Sequence, residues 1–128
     1  LDGDVAIEAA IAGDRNDQLV GNDLDNTLFG GRGDDELRGG PGDDALTGGE
    51  GADIFRFASG DGTDTITDFD VGDGDRIHID HLAFGSLEGV AALVFDDDHG
   101  AVLPIAEDLE VVFAGMTSAA FDDAMFVA

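Results

Sequence analysis

From residue 12 to residue 56 the chain repeats in nines: AGDRNDQLV, GNDLDNTLF, GGRGDDELR, GGPGDDALT and GGEGADIFR. The eighth place is always apolar (Leu19, Leu28, Leu37, Leu46, Phe55), the sixth is Asp17, Asn26, Asp35, Asp44 and Asp53, and the register never slips. After an insertion at Phe57 and Ala58 a sixth unit follows, SGDGTDTIT, with Asp64 sixth and Ile66 eighth. A constant interval of this kind marks a stacked repeat, in which a unit can bury its one apolar residue only against its neighbours. Places seven to nine read as a very short strand whose middle residue points inward, with Glu36, Arg38 and Thr47 suited to the outside.

The second half changes period. Residues 75–82 alternate, with Ile77 and Ile79 on one face and Arg76, His78 and Asp80 on the other, as in a half-buried strand. Residues 91–95, 101–105 and 109–113 are read as further strands, separated by the turns DDDHG and EDL. Thr117 or Ser118 is expected to cap one short helical turn before a last strand at residues 125–127. Six units make only three coils, and stacked strands lie about 4.8 Å apart, so the roll is short and its ends need covering. The chain is therefore read as a single domain: a lead-in over 1–11, repeats over 12–67, and a β cap over 68–128.

Charge turns this pattern toward chemistry. Thirty acidic residues stand against five basic ones, a formal net charge of -25, while the hydrophobic fraction of 43% and nine Phe argue for a globular body and not a solvated tail. Such a field repels phosphate backbones and anionic membrane surfaces, which removes nucleic acid as a partner. No apolar stretch approaches membrane-spanning length. There is no cysteine, so a small core needs a staple other than a disulfide, and a metal ion serves. The sequence opens at Leu1 with no signal peptide in view, and a longer parent protein is expected.

Within each unit the glycines at places one, two and four allow positive φ, so six residues can wrap tightly and turn carbonyl oxygens toward one point. The aspartate in place six adds a carboxylate. A mixed cage of carbonyls and carboxylates suits calcium, a hard ion that accepts six to eight oxygens in flexible geometry, better than zinc or copper. Clusters of Gly and Asp alone also describe linkers, but a linker has no reason to keep a buried position at a constant spacing.

The units GGRGDDELR, GGPGDDALT and GGEGADIFR resemble the GGxGxDxUx nonapeptide of the RTX, or hemolysin-type, calcium-binding family. The GADIFRF, DTITDF and GDRIHI stretches resemble the segment that closes its rolls, and the terminal AMFVA resembles the apolar ending of type I secretion substrates. The resemblance implies an all-β fold, a right-handed parallel β-roll in which two nonapeptides make one turn and calcium sits between a unit and the unit two places on. Place-two and place-four carbonyls and place-six carboxylates are then the ligands. Units three and five supply Gly31, Gly33, Asp35, Gly49, Gly51 and Asp53, and units four and six supply Gly40, Gly42, Asp44, Gly60, Gly62 and Asp64. In unit one Arg15 occupies place four, but Gly13 and Asp17 remain to build a site with unit three, and Asp68 is a further candidate near the roll's end. Unit two, with Asn22, Leu24 and Asn26 at places two, four and six, is expected to leave its site with unit four weak or empty. Three to four calcium ions result.

Other clusters read more plainly. His78, Asp80 and His81 invite a transition-metal reading, but two of them lie on a strand's solvent face, and a surface role is preferred. Asp96, Asp97, Asp98 and His99 fall at a hairpin turn, where Asp is common for backbone reasons. No HExxH helix, GxSxG elbow or Walker loop occurs, so the chain is read as a non-catalytic module. The resemblance implies a secreted, extracellular bacterial module that folds on calcium after passage through the type I secretion machinery and supports an upstream catalytic domain. Its layout is also similar to the R-modules of mannuronan C5-epimerases, which leaves open an acidic polysaccharide, alginate, as a partner. Arg32, Arg38 and Arg56 are then expected to share a face. A structural spacer or adhesin tip is a third reading.

Overall fold

Each nonapeptide carries the chain from one sheet to the other, so that alternate units stack. The computed structural model of the chain describes residues 9–80 and 90–127. Its strands are β1 (Ala9–Ile11), β2 (Gln18–Val20), β3 (Thr27–Phe29), β4 (Glu36–Arg38), β5 (Ala45–Thr47), β6 (Ile54–Phe57), β7 (Gly62–Ile66), β8 (Arg76–Ile79), β9 (Phe95–Asp97), β10 (Gly100–Ala106), β11 (Leu109–Ala114) and β12 (Phe126–Val127). One sheet runs β1-β3-β5-β7-β11-β10-β9 and the other β12-β8-β6-β4-β2. Successive repeat strands pair in parallel, two units apart, which is a β-roll.

Register is set by the apolar eighth place. Leu28 lies opposite Leu46, Leu46 opposite Ile66, and Ile66 opposite Phe113. On the other sheet Leu19, Leu37, Phe55, Ile77 and Phe126 form the matching column. All of these side chains are buried, several completely, and together they make the core between the two sheets. A one-residue slip in any unit would turn its only core side chain into solvent, so the strands stay in place although most are three residues long. Phe69, from the segment between β7 and β8, fills the wider end of the core, packing edge-on against Phe113 with ring centres 5.3 Å apart.

The parallel stacking continues past residue 67, where the counted repeats end and the cap begins. Strand β8 adds to the even sheet as a seventh unit, β11 adds in parallel to β7, and β12 adds in parallel to β8. Among the described strands only β10 runs against the others; it pairs antiparallel with β11 on one side and β9 on the other, and β9 closes the odd sheet.

Residues 91–95 correct the expectation of a strand: Val90–Leu93 is a turn of 3-10 helix and the strand β9 begins at Phe95. Val90 and Val94, four apart, are both buried while Leu93 is exposed, so a helical turn and not an alternation brings the two valines to the core. The short helical turn near Thr117 is present as Ser118–Ala120, but the Thr117 side chain makes no capping bond. Asp96 does that work from β9, accepting hydrogen bonds from the Ser118 backbone N–H at 2.6 Å and from its hydroxyl at 2.9 Å. A second 3-10 turn, Asp123–Met125, is capped by Asp122, so the final strand starts at Phe126 and not at Met125. Among the described residues no helix is long and apolar enough to cross a membrane.

Candidate metal centre

The loops between the sheets bring the place-six residues into two vertical ladders. Each carboxylate turns one oxygen to the backbone N–H of the place-six residue in the coil before it. Asp35 Oδ1 accepts from Asp17 N–H at 2.9 Å, Asp53 Oδ1 from Asp35 at 2.9 Å, and Asp75 Oδ1 from Asp53 at 2.9 Å. On the opposite edge Asp44 accepts from Asn26 at 2.7 Å and Asp64 from Asp44 at 2.8 Å. The second oxygens of Asp35, Asp44, Asp53 and Asp64 are buried and have no hydrogen-bond partner. A buried carboxylate oxygen without a donor costs about 1 to 3 kcal/mol by mutational measure and more when charged, so four of them, two in each ladder, call for a cation.

The backbone completes the picture. Every expected ligand glycine except Gly13 has positive φ, for example Gly49 at +88° and Gly51 at +114°. In units three and five the Gly31 carbonyl accepts from Glu50 N–H at 3.0 Å, and the Gly33 carbonyl oxygen lies against the α-carbon of Gly51. Units one and three stack likewise: Gly13 O accepts from Arg32 N–H at 3.1 Å, and the Arg15 carbonyl oxygen faces Gly33, so Arg15 enters through its backbone. Among the described residues no three His, Cys, Asp or Glu side chains gather to hold a metal by themselves. The donor set is therefore carbonyls with carboxylates, all oxygen, which fits calcium.

Units four and six come together only in part. The Gly42 carbonyl oxygen lies close beneath Gly62, but nothing stands within 4 Å of the Cβ direction of Gly60, so Gly60 does not stack on Gly40. The insertion is the cause. Phe57 extends β6 and is fully buried, Asp61 N–H turns back to Ala58 O, and Gly62 N–H bonds Asp108 O in the β10–β11 turn. In unit two the Asn26 amide oxygen accepts from Asn22 N–H at 2.9 Å and its amide nitrogen donates to the Asn22 side chain at 3.0 Å. Asp68 lies over the loop of unit five, accepting from Gly48 N–H at 2.9 Å and Gly49 N–H at 2.8 Å.

Three features escaped the sequence reading. Asp75 belongs to the ladder, because DVGDGDRIH is a seventh unit with Asp75 sixth and Ile77 eighth; its 22-residue separation from Asp53, in place of 18, hides it. Place five forms a second ladder outside the first. The Asn16 oxygen accepts from Asp34 N–H at 2.7 Å, Asp34 from Ala52 at 2.8 Å, Asp25 from Asp43 at 2.8 Å, and Asp43 from Thr63 at 3.0 Å. These acids pin loop to loop. Asp61, finally, is buried on the units-four-and-six side although it occupies place three, where Arg32 and Glu50 are exposed.

Arg32 correspondingly leaves the face it was expected to share. It pairs with Glu50 in the exposed loops at 3.5 Å, while Arg38 and Arg56 lie on the outer face of the even sheet. There Arg56 bridges Glu36 at 2.6 Å and Asp80 at 3.0 Å, and His78 Nδ1 lies 2.9 Å from the same Asp80. His81 lies outside the described residues. At the hairpin turn Asp97 Oδ1 accepts from His99 N–H at 2.7 Å, a backbone role.

Burial raises the pKa of Asp35, Asp44, Asp64 and Asp75 above the ordinary carboxylate range, and that of Asp53 to about 7. The metal-free fold thus binds more protons than the unfolded chain at any pH between about 4 and these raised values, so its stability falls as pH rises. Circular dichroism of the metal-stripped chain in calcium-free buffer should show more β signal at pH 5 than at pH 8. With calcium the order reverses, because protons compete for the same oxygens. A calcium-free signal that is flat or grows with pH is incompatible with these buried carboxylates.

The model of the RTX calcium-binding nonapeptide repeat (4 copies) matches residues 11–44, 20–55 and 34–66. The structure is similar to the AlgE6R3 subunit from the Azotobacter vinelandii mannuronan C5-epimerase, at 30% identity and a TM-score of 0.62, covering 98% of this chain and 86% of that one. It is also similar to the extracellular lipase LipA from Serratia marcescens, at 25% identity and a TM-score of 0.58 over 94% of this chain. The chain spans 21% of that lipase's length. No curated protein sequence matches. A two-sheet parallel roll with glycine and aspartate loops of this geometry is a calcium-binding repeat module. The chain belongs to the RTX calcium-binding nonapeptide-repeat family.

Proposed function

We propose that the chain is a calcium-operated folding module of a longer secreted protein, exported unfolded through type I secretion machinery and closed by calcium outside the cell. The carrying observation is the row of buried, partnerless place-six carboxylate oxygens. In a low-calcium compartment these groups and the net charge of -25 oppose collapse. Outside, each ion bound to the folded state alone stabilises it by about 1.4 kcal/mol at tenfold excess over Kd, so several act together. Three cages, of units one and three, three and five, and four and six, with a fourth where Asp68 and Asp75 close unit five, give three to four ions. The module itself performs no catalysis and supports an upstream domain. The extracellular lipase, much longer than this chain, supports the setting.

Calcium titration followed by circular dichroism tests the reading. Folding should be cooperative with a midpoint of about 0.1 to 1 mM, the range of extracellular calcium modules. Asp53→Asn, which removes the charge at the centre of one ladder, should raise the midpoint at least threefold. A variant that titrates like the wild type would remove the ladder from the mechanism.

The likeness to the epimerase subunit and one surface feature favour a second reading, binding of an acidic polysaccharide. Arg38, Arg56 and His78 follow one another in register across the outer face of the even sheet, beside a groove of about 240 Å³ lined by Gln18, Val20, Glu36, Arg38, Arg56 and Asp80. Glu36 and Asp80 already neutralise Arg56 there. Titration with alginate oligomers by calorimetry, in calcium, separates the readings: we expect no heat, and saturable heat abolished by Arg56→Gln would establish the polysaccharide.

A further inference from the structure

The insertion of Phe57 and Ala58 buries an acid at place three, where the residues of the other units, Asp14, Asp23, Arg32, Pro41 and Glu50, are exposed. Asp61 is 1% exposed, its Oδ2 accepts from Ala58 N–H at 2.8 Å, and its Oδ1 lies 3.5 Å from Arg38 Nη2. Asp44 and Asp64, whose second carboxylate oxygens are buried without partners, both feel its negative charge. Arg38, directly before Gly39, ends β4 with its side chain on the outer face and 38% exposed.

We propose that the Arg38–Asp61 pair sets the calcium affinity of the cage of units four and six: Asp61 supplies a third negative charge behind Asp44 and Asp64, and Arg38 partly cancels it. This rests on the calcium reading above and adds a tuning residue of each sign to it. Calcium affinity follows the charge gathered around the ion, and a charge acting in a buried site is poorly screened. In this cage Gly60 does not stack on Gly40, so the carbonyl contribution that units three and five enjoy is reduced, and Asp61 offsets the deficit electrostatically.

The two substitutions should act in opposite directions. Asp61→Asn keeps the acceptor for Ala58 N–H and removes the charge, weakening this cage about tenfold; Arg38→Gln removes the opposing charge and tightens it. Shared among three or four ions, a tenfold change at one cage moves the midpoint of calcium-driven folding about twofold. Midpoints are read by circular dichroism, and the β signal at saturating calcium verifies that each variant folds. A higher midpoint for Asp61→Asn with a lower one for Arg38→Gln is the expected result. If Arg38→Gln raises the midpoint as Asp61→Asn does, the pair is only a structural tie, and if neither moves it, Asp61 has no part in the cage; either outcome overturns the proposal. Should Asp61→Asn fail to fold, the sign of the Arg38→Gln shift still decides. A wild-type chain that binds no calcium would instead end the calcium reading itself.

Discussion

Gly49→Ala should fail to fold at calcium concentrations that fold the wild type completely. Gly49 has φ of +88°, a region that costs an L side chain about 1 to 2 kcal/mol. Its added Cβ would overlap the carbonyl oxygen of Gly31, the same oxygen that accepts from Glu50 N–H to hold coil on coil. No rotamer change relieves a collision with backbone, so the loop must lift, and the cage and the ladder above it open together. Gly60→Ala is the internal control. Its φ is +89° but nothing lies within 4 Å of the new atom, so it bears the backbone cost alone, a shift of about 5- to 30-fold in the folding equilibrium. Calcium titrations of both variants by circular dichroism check this: equal behaviour would mean that the stacking of place-two glycines on carbonyls does not hold the roll.

That contrast also separates what the sequence discloses from what it hides. The nonapeptide interval is legible because place eight has a single option, the core, and place six a single chemistry; Leu37 and Asp35 therefore fall where the count puts them. Asp75 was hidden by the insertions before it, since a count in nines loses its phase even while the coil goes on stacking. The joining of β11 and β12 to the two sheets was hidden for a related reason. Strand pairing two coils on depends on shape at the end of the roll, where Phe113 stacks under Ile66 and Phe126 under Ile77, and no fixed interval announces it. The aspartates of place five tie one loop to the next, a role set by side-chain direction that spacing cannot carry.

Calcium removal should have the largest effect of all. The two ladders set buried acids one above another in the same column, Asp35 on Asp53 on Asp75 and Asp44 on Asp64, with only hydrogen bonds from backbone N–H to oppose their repulsion. The short strands add little beyond their single buried side chains, and domains are stable by only about 5 to 15 kcal/mol in all. Three or four ions, each contributing about 1.4 kcal/mol at tenfold excess and more at higher calcium, are a comparable quantity, so their loss decides the state of the chain. Small-angle X-ray scattering of the same sample in millimolar calcium and in EGTA at pH 7.5 measures this directly. The radius of gyration should be about 14 Å with calcium and rise to about 37 Å without it, the values for a folded and an unfolded chain of this length. A radius that stays near 14 Å in EGTA would contradict the claim that divalent ions between the coils are what make this protein compact.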